Sequence, residues 1–205
     1  LTLEKAMINP GDQASIIRGA KFFAGNCMAC HSMRYLRYDK LSKENGVVYD
    51  KMPLDPAMWT LGTPPPDLSL ESRVRGNDWI YTYLQSFYVD KTQPTGYNNL
   101  LIPGSSMANV LAPLQGTQVL QEDMSRKALL NDPKWHHYLE ITESGSMKPE
   151  AFKQTLLDVV NYLHYASEPH RAQRIHLGYW VMAFLVLLSF LSYLLKQEYW
   201  RDIHQ

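Results

Sequence analysis

The chain has 205 residues, 45% hydrophobic and 20% charged, with 20 Lys+Arg against 20 Asp+Glu. It is long enough for one domain with a buried core, and it lacks the low hydrophobicity and high net charge that accompany disorder. A formal net charge of zero argues against a nucleic-acid partner, and two cysteines argue against a disulfide scaffold.

Residues 1–12 show neither a basic stretch nor an apolar one; if the protein is exported, its signal peptide has been removed. Ser15 to Cys30 has helical spacing, with Ile16, Ala20, Phe23 and Cys27 on one face. Thr63 to Asp67 (TPPPD) reads as a loop. Asp78 to Val89 reads as a second helix, with Trp79, Tyr83, Leu84 and Phe87 at helical spacing. Gln93 to Gly104 and Leu139 to Lys148 read as loops, and strand signals are few and weak. Pro149 to Ala166 is a third helix; Phe152, Leu156, Val159, Val160 and Leu163 form its apolar stripe, and Ser167-Glu168-Pro169 stops it.

Gly178 to Leu195 runs for 18 residues without a charge. At helical rise that is about 27 Å, enough to cross a hydrocarbon core with help from the flanks. Tyr179, Trp180, Tyr193, Tyr199 and Trp200 supply interface aromatics. A buried core helix is the rival reading, but polar residues usually interrupt such helices in soluble domains. The charges do not orient the span: Arg171 and Arg174 precede it, Lys196 and Arg201 follow. The expected division is a domain over 1–176, a transmembrane anchor over 177–196 and a tail over 197–205. The fold class expected is mainly α, with long loops and one C-terminal transmembrane helix.

Cys27-Met28-Ala29-Cys30-His31 is a CxxCH string. Two thiols three positions apart at a helix end can reach the two vinyl groups of one haem as thioethers. The adjacent His31 then falls under the iron as axial ligand. From this composition such a string arises by chance about once in 1,500 chains. A redox dithiol or half a zinc site fits less well, since the sequence has no second cysteine pair and no thioredoxin-like context. The cofactor expected is one covalent haem c through Cys27 and Cys30.

The sixth ligand decides the chemistry. Methionine raises the potential and closes the iron, whereas a second His lowers it. Met28 and Met33 are too close to His31 to reach the opposite haem face. Met52 and Met58 follow after short connections. Met107 lies in a Pro-Gly-Ser-Ser loop, and Met124 and Met147 are rivals in more polar surroundings. His136, His137 and His164 are conceivable ligands, with surface or capping roles the simpler reading.

Gly19-xxx-Phe23-xxx-Cys27-xx-Cys30-His31 resembles the N-terminal helix of class I c-type cytochromes, and Asp158-Val-Val-Asn-Tyr162-Leu resembles their C-terminal helix. The resemblance implies a class I cytochrome c-like haem domain in which these helices cross near Gly19, with Val159 and Tyr162 against Phe23. Thioether attachment in such proteins takes place on the periplasmic or equivalent side of the membrane, so the domain would lie there and the C-terminus in the cytoplasm. More specific segments are Arg18-Gly-x-x-x-Phe-x-x-x-Cys, Cys-His-Ser32-Met33-x-Tyr35, Pro65-Pro66-Asp67-Leu68-Ser69, Arg73-x-Arg75 and Ala166-Ser-Glu168-Pro169. With the single C-terminal span, they resemble the cytochrome c1 family, in its bacterial form, across nearly the whole chain.

That resemblance implies several roles. Pro66 would accept a hydrogen bond from the axial His31, Arg75 would pair with a haem propionate, Trp79 would lie against the haem, and Met107 would be the second axial ligand. It also implies an electron-transfer subunit of a respiratory ubiquinol–cytochrome c oxidoreductase, sited in a bacterial inner membrane. The partners implied are cytochrome b, the Rieske iron–sulfur protein and a soluble c-type cytochrome acceptor, with the complex a homodimer of heterotrimers. Glu122, Asp123, Glu140 and Glu143 are candidates for an acidic docking face; Asn9 to Gln13 and the loop 89–104 could touch partner subunits. A free-standing membrane-anchored c-type shuttle, or an oxidase subunit, is the alternative; a haem sensor with an open site is a third.

Overall fold

The computed structural model describes residues 1–53, 55–59, 63–121, 132 and 135–201. Residues 1–167 form one compact unit and residues 168–205 a second. Helix α1, Gln13–Asn26, starts where the Asp12 carboxylate accepts from the Ser15 amide at 3.1 Å, an N-cap that satisfies one free amide of the first turn. The helix ends earlier than its spacing predicted. Asn26 Nδ2 donates to Phe22 O at 3.0 Å, and Cys27 is the cap rather than an interior residue. Residues 27–31 turn away instead, with the Cys30 and His31 amides donating to Cys27 O.

Two short helices follow, α2 over Lys40–Glu44 and α3 over Glu71–Val74. Helix α4 spans Asn77–Gln85, not the whole predicted stretch to Val89. Ser86 stops it, its hydroxyl donating to Tyr83 O and Asn99 Oδ1. Phe87–Val89 then becomes strand β1. Three aromatic and β-branched residues favour a pleated surface, so tertiary pairing overrides the helical spacing of Phe87. The predicted loop 93–104 contains strand β2, Tyr97–Asn99, antiparallel to β1 with Phe87 opposite Asn99. Helix α5, Ala112–Gln115, leads into strand β3, Gly116–Leu120. Its partner β4, Leu139–Ser144, lies in the other predicted loop. Only Leu139 of β4 is buried, so this strand lacks the alternating pattern by which strands are recognised.

Helix α6, Pro149–Ser167, matches its prediction and buries the expected stripe. It crosses α1 at Gly19. A Cβ there would stand 2.0 Å from Asp158 O and 2.8 Å from Tyr162 Cβ, so only glycine allows this approach. Phe23 and Tyr162 pack beside the crossing with ring centroids 5.8 Å apart. Phe23, Ile16, Ala20, Leu156, Val160 and Tyr162 form the centre of the core. Burying each large side chain contributes about 1.5–3 kcal/mol. A smaller cluster gathers Leu100, Trp135 and Leu139.

Helix α4 is held from outside by the N-terminal segment. The Glu4 amide donates to Thr82 Oγ1 at 2.8 Å and the Ala6 amide to Asp78 Oδ1 at 2.9 Å. The second unit is helix α7, Arg171–Trp200, of which Gln173–Trp200 is long and apolar enough to cross a membrane. None of its apolar window is buried against protein.

Gly19→Ala forces backbone apart at the α1–α6 crossing and is expected to destabilise the domain by about 1–3 kcal/mol. Gly25→Ala, in the same helix with nothing within 4 Å of the added Cβ, is its control and should leave stability unchanged or raise it. Thermal unfolding of the detergent-solubilised protein measures both.

Candidate functional site

The CxxCH string begins at the C-cap of α1, eight positions beyond the crossing at Gly19. Cys27 and Cys30 are both free thiols and half-buried. Burial, and then the neighbouring Cys30, push the Cys27 thiol up to about 12. A redox dithiol needs the opposite shift, toward thiolate. Among the described residues no group of three or more His, Cys, Asp or Glu converges on a metal-binding geometry.

His31 Nδ1 lies 2.9 Å from Pro66 O. A carbonyl oxygen can only accept, so Nδ1 carries the proton and Nε2 keeps its lone pair. Burial pushes the imidazole down from its ordinary value, against upward pulls from the Pro66 carbonyl, Glu71 and Asp67. The neutral form is therefore favoured at neutral pH.

Residues 66–69 are laced to residues 31–35. The Leu68 amide donates to Ser32 O at 2.9 Å. Asp67 Oδ2 accepts from Ser32 Oγ at 2.7 Å and from the Arg34 amide at 2.8 Å. Ser69 Oγ accepts from the Tyr35 amide at 3.2 Å. Burial pushes the Asp67 carboxyl up, but donors from Ser69, Arg34 and Ser32 together outweigh it, and the group ionises below its ordinary 3.8. The proline run thus carries an anchor, Asp67, immediately after the carbonyl that orients His31.

The second group of candidates lies on and beside α4. Arg75, Trp79, Tyr83 and Phe87 follow one another at intervals of four. The Arg75 guanidinium sits 4.6 Å over the Trp79 ring, and its Nε donates to Glu71 Oε1 at 3.3 Å. Trp79 stacks on Tyr83 at 5.1 Å, and Tyr83 meets Phe87 edge-on at 5.0 Å. The Tyr83 hydroxyl reaches Met107 Sδ at 3.6 Å and Ser105 Oγ at 2.8 Å. Burial raises the Tyr83 phenol, against smaller downward effects of Ser105 and Arg75, so it stays a donor. Trp79 and Tyr83 are half-buried while Ile80 and Tyr81 turn into the core. Three members of the predicted apolar stripe, Trp79, Tyr83 and Leu84, therefore form a wall at the core's edge, while Phe87 is buried in β1. Cys27, Leu68 and Trp79 all border the same cluster.

The rival ligands are placed as follows. Met52 Sδ accepts from the Met33 amide at 3.1 Å inside the core. Met147 Sδ accepts from Thr155 Oγ1 at 3.8 Å. Met124 and the Met58 side chain lie outside the described residues, as do Glu122 and Asp123. His136 pairs with Glu4 at 2.8 Å, and His164 Nδ1 stands 3.2 Å from Asn77 Nδ2. Sequence reasoning missed the tyrosine hydroxyl and the serine beside Met107. Their signals were the i, i+4 step from Trp79 and the serine two residues before the methionine.

A family model described as the Cytochrome C1 family matches residues 4–57 and 55–203. The chain is 38% identical to a cytochrome c1 from Allochromatium vinosum, over 98% of this chain and 90% of that one. It is 36% identical to an ammonia monooxygenase gamma subunit from Nitrosomonas europaea, over 98% and 89%. A mitochondrial cytochrome c1 heme protein from Schizosaccharomyces pombe is 28% identical, over 94% and 68%.

Asp67→Asn removes the charge that Ser32, Arg34 and Ser69 hold through hydrogen bonds. A depressed carboxyl contributes its stability above the unfolded pKa, and that contribution is lost as pH falls through the lower folded value. The variant should be less stable than the parent at neutral pH, with the gap closing below about 3.8, in thermal unfolding across a pH series.

Proposed function

We propose that this chain, which belongs to the cytochrome c1 family, is the haem-bearing electron-transfer subunit of a respiratory quinol–cytochrome c oxidoreductase. Family membership gives it a cytochrome c1-like role in electron transfer, and its C-terminal helix makes it a single-pass membrane protein with a large extracytoplasmic domain. The finer reading rests on one observation above the others. The Pro66 carbonyl holds the Nδ1 proton of the histidine that directly follows two cysteines at thioether spacing, leaving Nε2 free for iron.

The donor set fits one haem c. Cys27 and Cys30 would carry it covalently, and His31 Nε2 and Met107 Sδ would be its axial ligands. When bound, the haem supplies a one-electron iron couple. The Pro66 carbonyl fixes the ring plane of His31 and raises its basicity. The Met107 thioether would favour the reduced state of an iron that it held. Trp79 offers an apolar face that excludes water. Arg75 offers a guanidinium fork for a propionate, and its stacking on Trp79 and its contact with Glu71 hold the fork in place.

In this reading one electron enters from the Rieske iron–sulfur protein and leaves to a soluble c-type cytochrome. No bond in a substrate is made or broken at the site. Glu140 and Glu143, exposed on β4, are the acidic candidates for docking a cationic acceptor. Helix α7 would pack in the lipid beside cytochrome b, with the haem domain on the periplasmic side of a bacterial inner membrane, the C-terminus in the cytoplasm and the complex a homodimer of heterotrimers. The relative named as an ammonia monooxygenase subunit supports a second reading, in which the same scaffold serves a different membrane oxidoreductase.

Purification in mild detergent separates the readings. Copurifying b-type haem and a 2Fe–2S protein are the expected result; a lone haem protein, or copper-enzyme subunits in their place, removes the proposal. Met107→Leu should keep covalent haem, lose the weak near-infrared sulphur-to-iron band of the oxidised protein, lower the midpoint potential and open the reduced iron to carbon monoxide. Cys27→Ser or Cys30→Ser should prevent stable haem assembly, read as loss of covalently attached haem on a denaturing gel.

A further inference from the structure

On the reading of Met107 as axial ligand, on which this rests, we infer that Asn98 and Asn99 are its positioning residues. Their carboxamides replace the strand that the Met107 loop lacks, and they tie its backbone to the end of α4 and to Asp90. Strand β2 runs beside β1 with Phe87 opposite Asn99. One position later the Leu100 amide donates to Ser86 O at 3.0 Å, and there the ladder ends, because the facing chain is helix α4. The amides that follow have no strand to donate to. Packing does not hold the segment either, since of residues 101–106 only Ser105 is buried.

Asparagine side chains take the missing place. Asn99 Oδ1 accepts from the Leu101 amide at 2.9 Å, the Ile102 amide at 3.2 Å and the Ser86 hydroxyl at 3.1 Å. Its Nδ2 donates at 2.9 Å to Tyr83 O, a carbonyl in the last turn of α4. Donors meet the oxygen and an acceptor meets the nitrogen, so the carboxamide has one orientation. Asn98 Oδ1 accepts from the Gly104 amide at 2.8 Å, and its Nδ2 donates to Asp90 Oδ2 at 2.8 Å. Asp90 Oδ1 is itself held by the amide and hydroxyl of Thr92. Both asparagines are buried, so water does not compete for these bonds. Between the two anchors the Ser105 amide donates to Ile102 O at 3.2 Å, with Pro103 and Gly104, φ +73°, at the centre of the turn. The backbone is thus pinned at 101, 102 and 104, and Met107 follows three residues on.

A thioether is a neutral, weak donor, so its hold on iron depends on being already in place. When the loop is ordered by folding, its conformational entropy is lost before ligation and not because of it. Freeing the backbone returns that cost to the ligation step. Competing ligands then displace the sulphur more easily: hydroxide on the oxidised iron at high pH, and carbon monoxide on the reduced iron. Because methionine ligation favours the reduced state, a looser methionine also means a lower potential. Both asparagines act on the ligand through the loop backbone.

The test is a set of variants in the complete haem-loaded protein. It is read by the near-infrared sulphur-to-iron band of the oxidised form across a pH series, and by midpoint potential. Asn98→Asp keeps an oxygen for the Gly104 amide but sets a carboxylate against Asp90. The band should be lost about one pH unit lower than in the parent, a tenfold easier displacement, and the potential should fall. Adding Asp90→Asn returns a donor to face the acceptor and restores the net charge, so band and potential should both recover. Asn99→Ala removes the acceptor for two loop amides; its effect should have the same sense, be larger, and open the reduced iron to carbon monoxide. In a Met107→Leu background none of these changes should move the potential further. Unchanged band and potential in Asn98→Asp and Asn99→Ala, with the band lost in Met107→Leu, overturn the positioning role and leave the ligand assignment standing. A full Asn98→Asp shift in the Met107→Leu background, or a shift that Asp90→Asn does not reverse, also overturns it. A band and potential unaffected by Met107→Leu overturn both.

Discussion

The distance between α1 and α6 is set by a missing side chain at Gly19. Backbone carbonyl and Cβ atoms of α6 occupy the volume that any larger residue would need. The same crossing buries Asp158, whose carboxylate accepts from Ser15 Oγ at 2.8 Å and from two Arg18 nitrogens at 2.6 and 2.9 Å. Gln154 Nε2 adds a further donor at 3.2 Å. A charge in such a place is tolerable only when its oxygens are occupied. The crossing therefore combines a steric requirement with a polar one, and Phe23 against Tyr162 closes the apolar side.

The functional turn inherits its position from that contact. Three residues separate Phe23 from Cys27, and the helix ends there, so the CxxCH turn begins one helical turn beyond the last buried residue of α1. A second segment must then meet it, because a histidine at the end of a turn would otherwise be free to rotate. The segment 66–69 supplies that partner through hydrogen bonds to His31, Ser32, Arg34 and Tyr35. Three prolines in succession restrict the approach, and the Asp67 carboxylate ties it down. Orientation of the imidazole is thus a property of two chain segments about thirty-five residues apart in sequence, joined by backbone geometry.

The second group of candidate residues has a different construction. Arg75, Trp79, Tyr83 and Phe87 make a continuous stack that begins before α4 and ends in β1, and the loop carrying Met107 is attached to it through hydroxyl groups. Rigid aromatic packing below a pliant loop explains how a methionine in a Pro-Gly-Ser sequence can still hold one place. Met52, by contrast, has its sulphur engaged with a core amide, which accounts for it as packing.

Much of this was legible in the chain itself. The spacing of Cys27, Cys30 and His31 is compatible with a haem c attachment motif and is readable locally, because thioether reach and ligation by the adjacent histidine would depend on a single turn. The long apolar run near the C-terminus needs no tertiary context either, since length and absence of charge suffice. The stripes of α1 and α6 were readable because each buries one face against the other at helical period. Strands β1, β2 and β4 were not, since none alternates buried with exposed residues along its length, and the backbone of each pairs with residues that local pattern does not reveal. Only the folded molecule engaged the Met52 sulphur with a core amide, turned Trp79 and Tyr83 outward to the core's edge, and brought a tyrosine and a serine twenty-two positions apart to the Met107 sulphur. Those outcomes depend on which hydroxyls and amides come within reach of one another in space, and hydrogen-bond geometry between distant segments leaves no periodicity in the sequence.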